Sequence, residues 1–378
     1  MTTQPGDVMQ IPFFRYPHVF GQQRDEILAA MLQVMDRGAF ILQKEVEDFE
    51  VALAAYLPVR HAVGVANGTD ALIIALRAVG VGPGDEVILP SHTYVASAAS
   101  VHFAGATPVL VECGADHLID PAAVEAAVTS RTMAIMPVQL NGRTCDMDAL
   151  QAIADRHHLV IVEDAAQGLG SRYKDRRAGT FGAASGFSFY PAKVLGCFGD
   201  GGGVTTNDAD VARKVRLLRD HGRNEQGLVV TWGLNSRLDN LHAAILNVKL
   251  KVFEDEVDRR RQLARLYREG LGLIDDLALP PGPDGDADHH DAYQNYEIES
   301  GRREALRAHL EKDGVRTIIQ WAGKPVHHFE GLGLTNTILS LTDRLFERCF
   351  LLPMNTSLTD DEIHYITASI RGFYGLSN

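Results

Sequence analysis

The chain has 378 residues, 46% hydrophobic and 22% charged, a composition ordinary for a soluble α/β protein large enough for more than one folding unit. Its 36 basic and 49 acidic residues leave a formal charge of −13, which excludes a broad nucleic-acid-binding face, because phosphate neutralisation needs clustered Lys and Arg. No apolar run approaches the ~20 residues of a membrane span, and the four cysteines (Cys113, Cys145, Cys197, Cys349) form no CxxC pair, so neither a disulfide framework nor a zinc cluster is expected.

Residues 1–14 lack the apolar core of a signal peptide, and a reducing cytoplasm is the expected compartment. Residues 22–36 read as an amphipathic helix closed by a turn at Gly38. From Ala62 to about Thr206, short apolar runs (86–90, 108–112, 133–138, 159–162) alternate with helical stretches (70–79, 121–128, 148–157). The runs are apolar at successive positions, as in strands covered on both faces. Repeated βα units of this kind predict a mostly parallel, doubly wound sheet, whose ligands sit beyond the carboxyl ends of the strands. Residues 237–271 read as one or more long, charged helices. The Pro-, Gly-, Asp- and His-rich stretch 280–290 is the best loop or boundary candidate. Beyond it, 292–374 reads as a smaller α+β unit with a strand at 293–298, a helix from Arg303 and a last helix after Thr359. The expected division is a large domain over 1–250 and a small C-terminal domain over 251–378.

Four segments carry chemistry. Asn67-Gly68-Thr69-Asp70 opens an apolar helix and leaves free N–H groups at its positive end, a site for a phosphate. Taken alone it reads first as a plain helix cap, since such caps are very common. Asp164 ends a buried strand, with Gln167 one turn later. A carboxylate there can pair with a protonated ring nitrogen, or it can simply cap a helix. Lys193 follows the aromatic strand Phe187-Ser188-Phe189 and precedes the glycine-rich run 199–203. A catalytic lysine must be desolvated to be neutral and nucleophilic, whereas most lysines lie on the surface. Arg237, in Asn235-Ser236-Arg237, is a potential fork for a carboxylate or phosphate.

The order of these segments, with NGTDAL (67–72), GPGDEVILPSHTYVAS (82–97), GATPVLVE (105–112), CDMD (145–148), VEDAAQGLG (162–170), FSFYPAKVLGCFGDGGGVTTND (187–208) and GLNSRLDNLHAAIL (233–246), resembles the DegT/DnrJ/StrS sugar-nucleotide aminotransferases over almost the whole chain. The resemblance implies the aspartate-aminotransferase fold (fold type I) and pyridoxal 5'-phosphate held as a Schiff base on Lys193. It implies that Asp164 meets the pyridine nitrogen and Gln167 the ring hydroxyl. It further implies that Gly68, Thr69 and Ser188 hold the phosphate and that Tyr94 stacks on the ring. Asn235 then reaches the phosphate of a neighbouring subunit, so the working unit implied is a homodimer with shared sites. Lys193 and Asp164 are the catalytic pair, with Lys193 moving a proton between the donor's α-carbon and the cofactor's C4′. The implied substrates are L-glutamate and a nucleotide-linked 3- or 4-keto-deoxysugar, for an amino sugar of a surface polysaccharide such as lipopolysaccharide or of a glycosylated metabolite.

Arg237, Tyr190 and His327 are the substrate-side candidates. Gln139, Asn141, His242 and Gln43 depart from the family's usual residues and are expected near the sugar, as are 293–296 and the stretch from Ile319 to His328. No carboxylate pattern accompanies His327-His328, so no metal is expected. A cyclitol ketone as acceptor, and a non-catalytic regulator that binds the cofactor, are the alternatives.

Overall fold

The computed structural model describes residues 9–335 and 337–376. Three helices, α1 (Tyr16–Gly21), α2 (Arg24–Arg37) and α3 (Lys44–Tyr56), lead into β1 (His61–Val65), α4 (Gly68–Ala78), β2 (Glu86–Pro90), α5 (Val95–Ala104), β3 (Thr107–Val111), α6 (Pro121–Ala127), β4 (Thr132–Ile135), α7 (Met147–His157) and β5 (Val160–Asp164). Two short strands, β6 (Arg172–Tyr173) and β7 (Arg176–Arg177), precede β8 (Ala184–Ser188), β9 (Gly202–Thr206), α8 (Ala209–Arg219), α9 (Asn240–Leu250) and α10 (Phe253–Leu271). The chain ends in β10 (Leu277–Ala278), β11 (His289–His290), β12 (Tyr296–Ser300), α11 (Arg303–Lys312), α12 (Ser340–Arg348), β13 (Cys349–Leu352) and α13 (Asp360–Phe373).

Seven strands form one sheet in the order β1-β9-β8-β5-β4-β2-β3. The pairs from β8 to β3 are all parallel, and β9 runs antiparallel to both of its neighbours. Every residue of β2 is buried, which explains a run with no alternation: helices cover both faces. α4 is apolar around most of its circumference and packs between the sheet and neighbouring helices. It lies close against β8 because Gly186 has no side chain; a Cβ there would sit 2.7 Å from Leu72 Cδ2.

A second core lies under the antiparallel sheet β10-β12-β13 and includes Leu263, Tyr267, Tyr296, Phe350 and Ile366, with Ile11 from the N-terminal segment. α10 belongs to both cores: Phe253 and Val257 pack beside α3 and α9, whereas Leu263 to Leu271 pack in the second.

The stretch expected as long helices divides into α9 and α10 after Leu250. The strand expected from 293 starts at Tyr296, because Tyr293 adopts φ 48° and cannot continue an extended ladder. The loop 280–290 is not a free linker: His289 and His290 form β11, paired with β6. Among the described residues no helix is long and apolar enough to cross a membrane.

Candidate active site

Strands β3, β2, β4 and β5 are adjacent in that order, so the chain progresses in opposite directions on either side of the β2–β4 boundary. The loops leaving the carboxyl ends of such neighbours splay apart and open a crevice. The candidate side chains lie at or just past the carboxyl ends of β1, β2, β4, β5 and β8.

Asp164 is the last residue of β5 and is buried. Its Oδ2 accepts the Ser97 hydroxyl at 2.6 Å, and its Oδ1 accepts the Ala166 N–H at 3.1 Å. Thr93 Oγ1 lies 2.6 Å from Ser97 Oγ; since Ser97 donates to Asp164, Thr93 donates to Ser97. Burial pushes the Asp164 pKa up, opposed by the Ser97 and Ala166 hydrogen bonds and the charge of Lys193. An anion in this position gains by facing a cation.

Lys193 lies on the turn after β8. It is reached through Phe187 and Phe189, which are fixed in the core, Phe189 edge-on to Phe49. Although its surface is partly open to the crevice, protein surrounds it densely. That desolvation lowers its pKa to about 8, with the charge of Asp164 pulling the other way. The turn is clamped from the C-terminal part of the chain: Gln294 Nε2 donates to Ala192 O at 2.8 Å, and Gln294 Oε1 accepts Val194 N–H at 2.8 Å. Both neighbours of Lys193 are thus tied to one amide.

At the start of α4, Asn67 Oδ1 accepts the Asp70 N–H at 2.9 Å. The N–H groups of Gly68 and Thr69 have no acceptor within the helix and point from its positive end. Ser188 faces them so closely that a Cβ on Gly68 would come within 2.7 Å of Ser188 Cβ. Gln167 Oε1 accepts the Asn141 N–H at 2.8 Å and Asn295 Nδ2 at 3.4 Å, which leaves its amide nitrogen to donate. Tyr94, 56% exposed, stands at the N-terminus of α5 on the loop leaving β2.

Together these residues fit pyridoxal phosphate. The Gly68–Thr69–Ser188 cradle matches a phosphate, the buried Asp164 carboxylate a protonated pyridine nitrogen, Gln167 a ring hydroxyl, and the depressed Lys193 amine an aldehyde. When bound, the cofactor supplies an electron sink for the carbon that carries the transferred amine. Fold and site together define a pyridoxal-phosphate-dependent aminotransferase. The chain belongs to the DegT/DnrJ/EryC1/StrS aminotransferase family, whose profile matches residues 22–371. A dTDP-3-amino-3,4,6-trideoxy-alpha-D-glucose transaminase of Streptomyces venezuelae is 46% identical over 320 residues, 84% of this chain and 83% of that protein. The crystal structure of S. venezuelae DesV in complex with a ketimine intermediate matches with a TM-score of 0.92 at 40% identity, covering 98% of this chain and 100% of that one. Ntda from Bacillus subtilis, solved with bound cofactor PMP, matches with a TM-score of 0.90 at 28% identity, over 97% of this chain and 85% of that one.

Several residues expected beside the substrate are engaged elsewhere. Gln139 is fully buried, donating to Glu163 Oε2 at 2.7 Å and accepting the Cys145 N–H at 2.7 Å. Glu163 also gathers the N–H groups of Gly179, Phe181 and Gly182 and the Ser185 hydroxyl, so this pair is a satisfied core network. Of residues 293–296, Gln294 and Asn295 hold Lys193 and Gln167, and Tyr296 stacks on Tyr267 in the second core. Gln320 bonds Glu297 at 2.8 Å. His327 is 1% exposed, with both ring nitrogens engaged by Ser91 and Asp343, so it has no free nitrogen for a sugar. Arg237 pairs with Asp220 at 3.0 Å. His242 packs beside Gly199, Gln43 is exposed at the N-terminus of α3, and Tyr190 is exposed near Lys193. Thr93 and Ser97 were not expected at the site, and Gln294 was expected beside the sugar instead of at the backbone flanking Lys193: these roles depend on loops distant in sequence, and a Ser or Gln has no local signature of such a task.

Proposed function

We propose that this enzyme transfers the amino group of L-glutamate to the ketone of a nucleotide-linked deoxysugar, with the ketone at C3 or C4. The name of the 46% identical relative favours C3. The observation that carries the reading is the pairing of a desolvated Lys193 with a buried Asp164 in one crevice. Near pH 8 the Lys193 amine is neutral about half the time, so with the cofactor bound Nζ would be able to accept the proton of the donor's α-carbon and return it. Asp164 would hold the ring nitrogen protonated, an electrostatic task suited to a preorganised carboxylate whose oxygens Ser97 and Ala166 already fix. Gly68, Thr69 and Ser188 would hold the phosphate, Gln167 would orient the ring hydroxyl, and Tyr94 would stack on the ring. Tyr190 and Arg237 remain our candidates for the substrate side.

The working unit in this reading is a homodimer in which Asn235 reaches the partner's cofactor phosphate. Asn235 is exposed and follows an outward-facing apolar segment of Leu228, Val229, Val230 and Trp232, the last 94% exposed. Such a patch is the kind that a protein partner covers. We take residues 1–250 as the cofactor domain and 251–378 as the small domain, and place the enzyme in the cytoplasm, consistent with four free, buried cysteines. The product serves as an amino sugar of a surface polysaccharide or a glycosylated metabolite.

The test is a single-turnover experiment. Holoenzyme treated with L-glutamate should lose its near-visible absorbance and regain it on mixing with a 3-keto-sugar nucleotide. Borohydride should fix the cofactor to Lys193, and Lys193→Ala should abolish turnover. Retained transamination in that variant would overturn the catalytic assignment. Recovery with ketocyclitols alone would overturn the sugar assignment, and cofactor binding with no response to any amino donor would leave a regulator.

A further inference from the structure

Away from the residues that surround Lys193 and Asp164, two adjacent imidazoles converge on one carboxylate. His327 and His328 lie on a 3-10 turn, Val326–His328, and Asp343 lies in the first turn of α12. Asp343 Oδ1 is 3.0 Å from His327 Nε2 and 2.9 Å from His328 Nε2, and the three potential ligand atoms all lie within 4.8 Å of one another. Neighbouring side chains on a turn ordinarily diverge. Here both rings turn the same nitrogen toward a single oxygen. Around a zinc ion bound at ~2.0 Å, tetrahedral ligand atoms are ~3.3 Å apart, so the two histidine-to-carboxylate spacings of 3.0 and 2.9 Å need only small adjustments.

The surroundings also match a metal site. His327 Nδ1 lies 2.7 Å from Ser91 Oγ, the outer hydrogen bond that fixes ring orientation in metal-ligating histidines. Ser91 is itself held, its carbonyl accepting the Val326 N–H at 3.2 Å and its N–H bonding Val111 O at 3.0 Å. The start of α12 is anchored as well: Glu112 accepts the N–H groups of Leu341 and Thr342 and the Thr342 hydroxyl. The histidine turn and the aspartate are therefore positioned by separate rigid supports. His327 is buried, while the side chains of His328 and Asp343 are 47% and 34% exposed, so an ion can enter from solvent and keep water in a fourth position. None of the three bonds to Lys193, Asp164 or Gln167.

We propose that His327, His328 and Asp343 form a binding site for a divalent transition metal of the zinc type. Two imidazoles and one carboxylate suit zinc and its neighbours, whereas calcium and magnesium favour all-oxygen sets. Bound metal would fasten the 326–328 turn to α12 and, through Ser91, to the loop that leaves β2 and continues to Thr93, Tyr94 and Ser97. The carboxylate escaped the sequence reading because it comes from a helix beyond an intervening loop, with no fixed local spacing.

The experiment uses chelator-treated, cofactor-loaded full-length enzyme titrated with zinc chloride by calorimetry, with cobalt(II) as an optical probe. One ion per chain is expected, with the visible bands of four-coordinate cobalt and a rise in melting temperature on adding zinc. His328→Ala and Asp343→Asn should each weaken binding at least tenfold and remove the melting shift, and Ser91→Ala should weaken it by about tenfold. His328 is half exposed, so its replacement leaves the fold intact and separates lost ligation from misfolding. The proposal is overturned if zinc fails to bind the parent enzyme, or if both ligand variants bind it as tightly as the parent.

Discussion

Gln294 makes the sharpest case for a residue acting through a neighbour. It touches the backbone on both sides of Lys193 without contacting its amine, so its replacement should alter the aim of Nζ more than cofactor retention. Each lost hydrogen bond is worth about 1 kcal/mol. Gln294→Leu is therefore expected to slow the half-reaction with L-glutamate by roughly 30-fold if both bonds contribute to positioning, with the KM for L-glutamate changing much less. Stopped-flow rates within twofold of the parent would refute that role. Lys193 itself carries a pH prediction. Its pKa is lowered to about 8 from the ordinary 10.5 because burial disfavours the ammonium, so the nucleophilic neutral amine is present at lower pH than for a surface lysine. Covalent capture of added cofactor by the apoprotein should be half-maximal near pH 8; a midpoint at the ordinary lysine value would show that Lys193 is not desolvated. The lysine and the aspartate were legible from their motifs, but the amide that holds the lysine was not, because it approaches from a hundred residues away.

α4 shows how much of a site an element can supply. Its helical character follows from an Asn cap and an apolar run, and the phosphate site proposed at its start follows from two N–H groups left over by that cap. The closeness of Gly68 to Ser188 adds a steric requirement. Gly68→Ala would place a methyl 2.7 Å from Ser188 Cβ and 3.2 Å from its Cα, forcing α4 and β8 apart at the cradle. We expect cofactor affinity to fall by an order of magnitude or more, with the far-ultraviolet circular dichroism spectrum unchanged. Equilibrium dialysis against pyridoxal phosphate would measure it, and unaltered affinity would remove the cradle from the phosphate site.

At the scale of the whole molecule, the two cores are joined by charge as well as by α10. His117, on the loop after β3, bonds Glu297 at 2.8 Å and Glu299 at 3.2 Å on β12. Burial alone would lower its pKa, but the two carboxylates outweigh it and raise the value to about 10 from 6.5. A raised histidine pKa stabilises the fold fully below the ordinary value and ceases to do so as pH climbs through the folded value. The stability advantage of the parent over His117→Asn should therefore shrink between about pH 6.5 and 10 in urea denaturation; an advantage that grows with pH would contradict the pairing. The homodimer proposed above carries its own test: if it forms through the exposed Trp232, Trp232→Glu should shift the protein toward monomer in sedimentation equilibrium and reduce cofactor retention, because Asn235 would no longer meet its partner site. A variant that stays dimeric would move the interface elsewhere.

The sequence by itself determined the alternating βα frame and the cofactor chemistry, and it singled out Lys193, Asp164, Gln167 and Ser188 as the candidate set. Those features rest on short-range order: buried runs, a helix cap, and motif spacings within one βα unit. Tertiary structure alone decided that Gln139 serves the core beside Glu163, that Gln294 and Asn295 support the site instead of lining it, and that His327 turns away to Ser91 and Asp343. Each of these depends on which distant loop supplies the partner of a buried polar group. A buried amide, imidazole or carboxylate must be satisfied somewhere, and only the folded chain shows by whom.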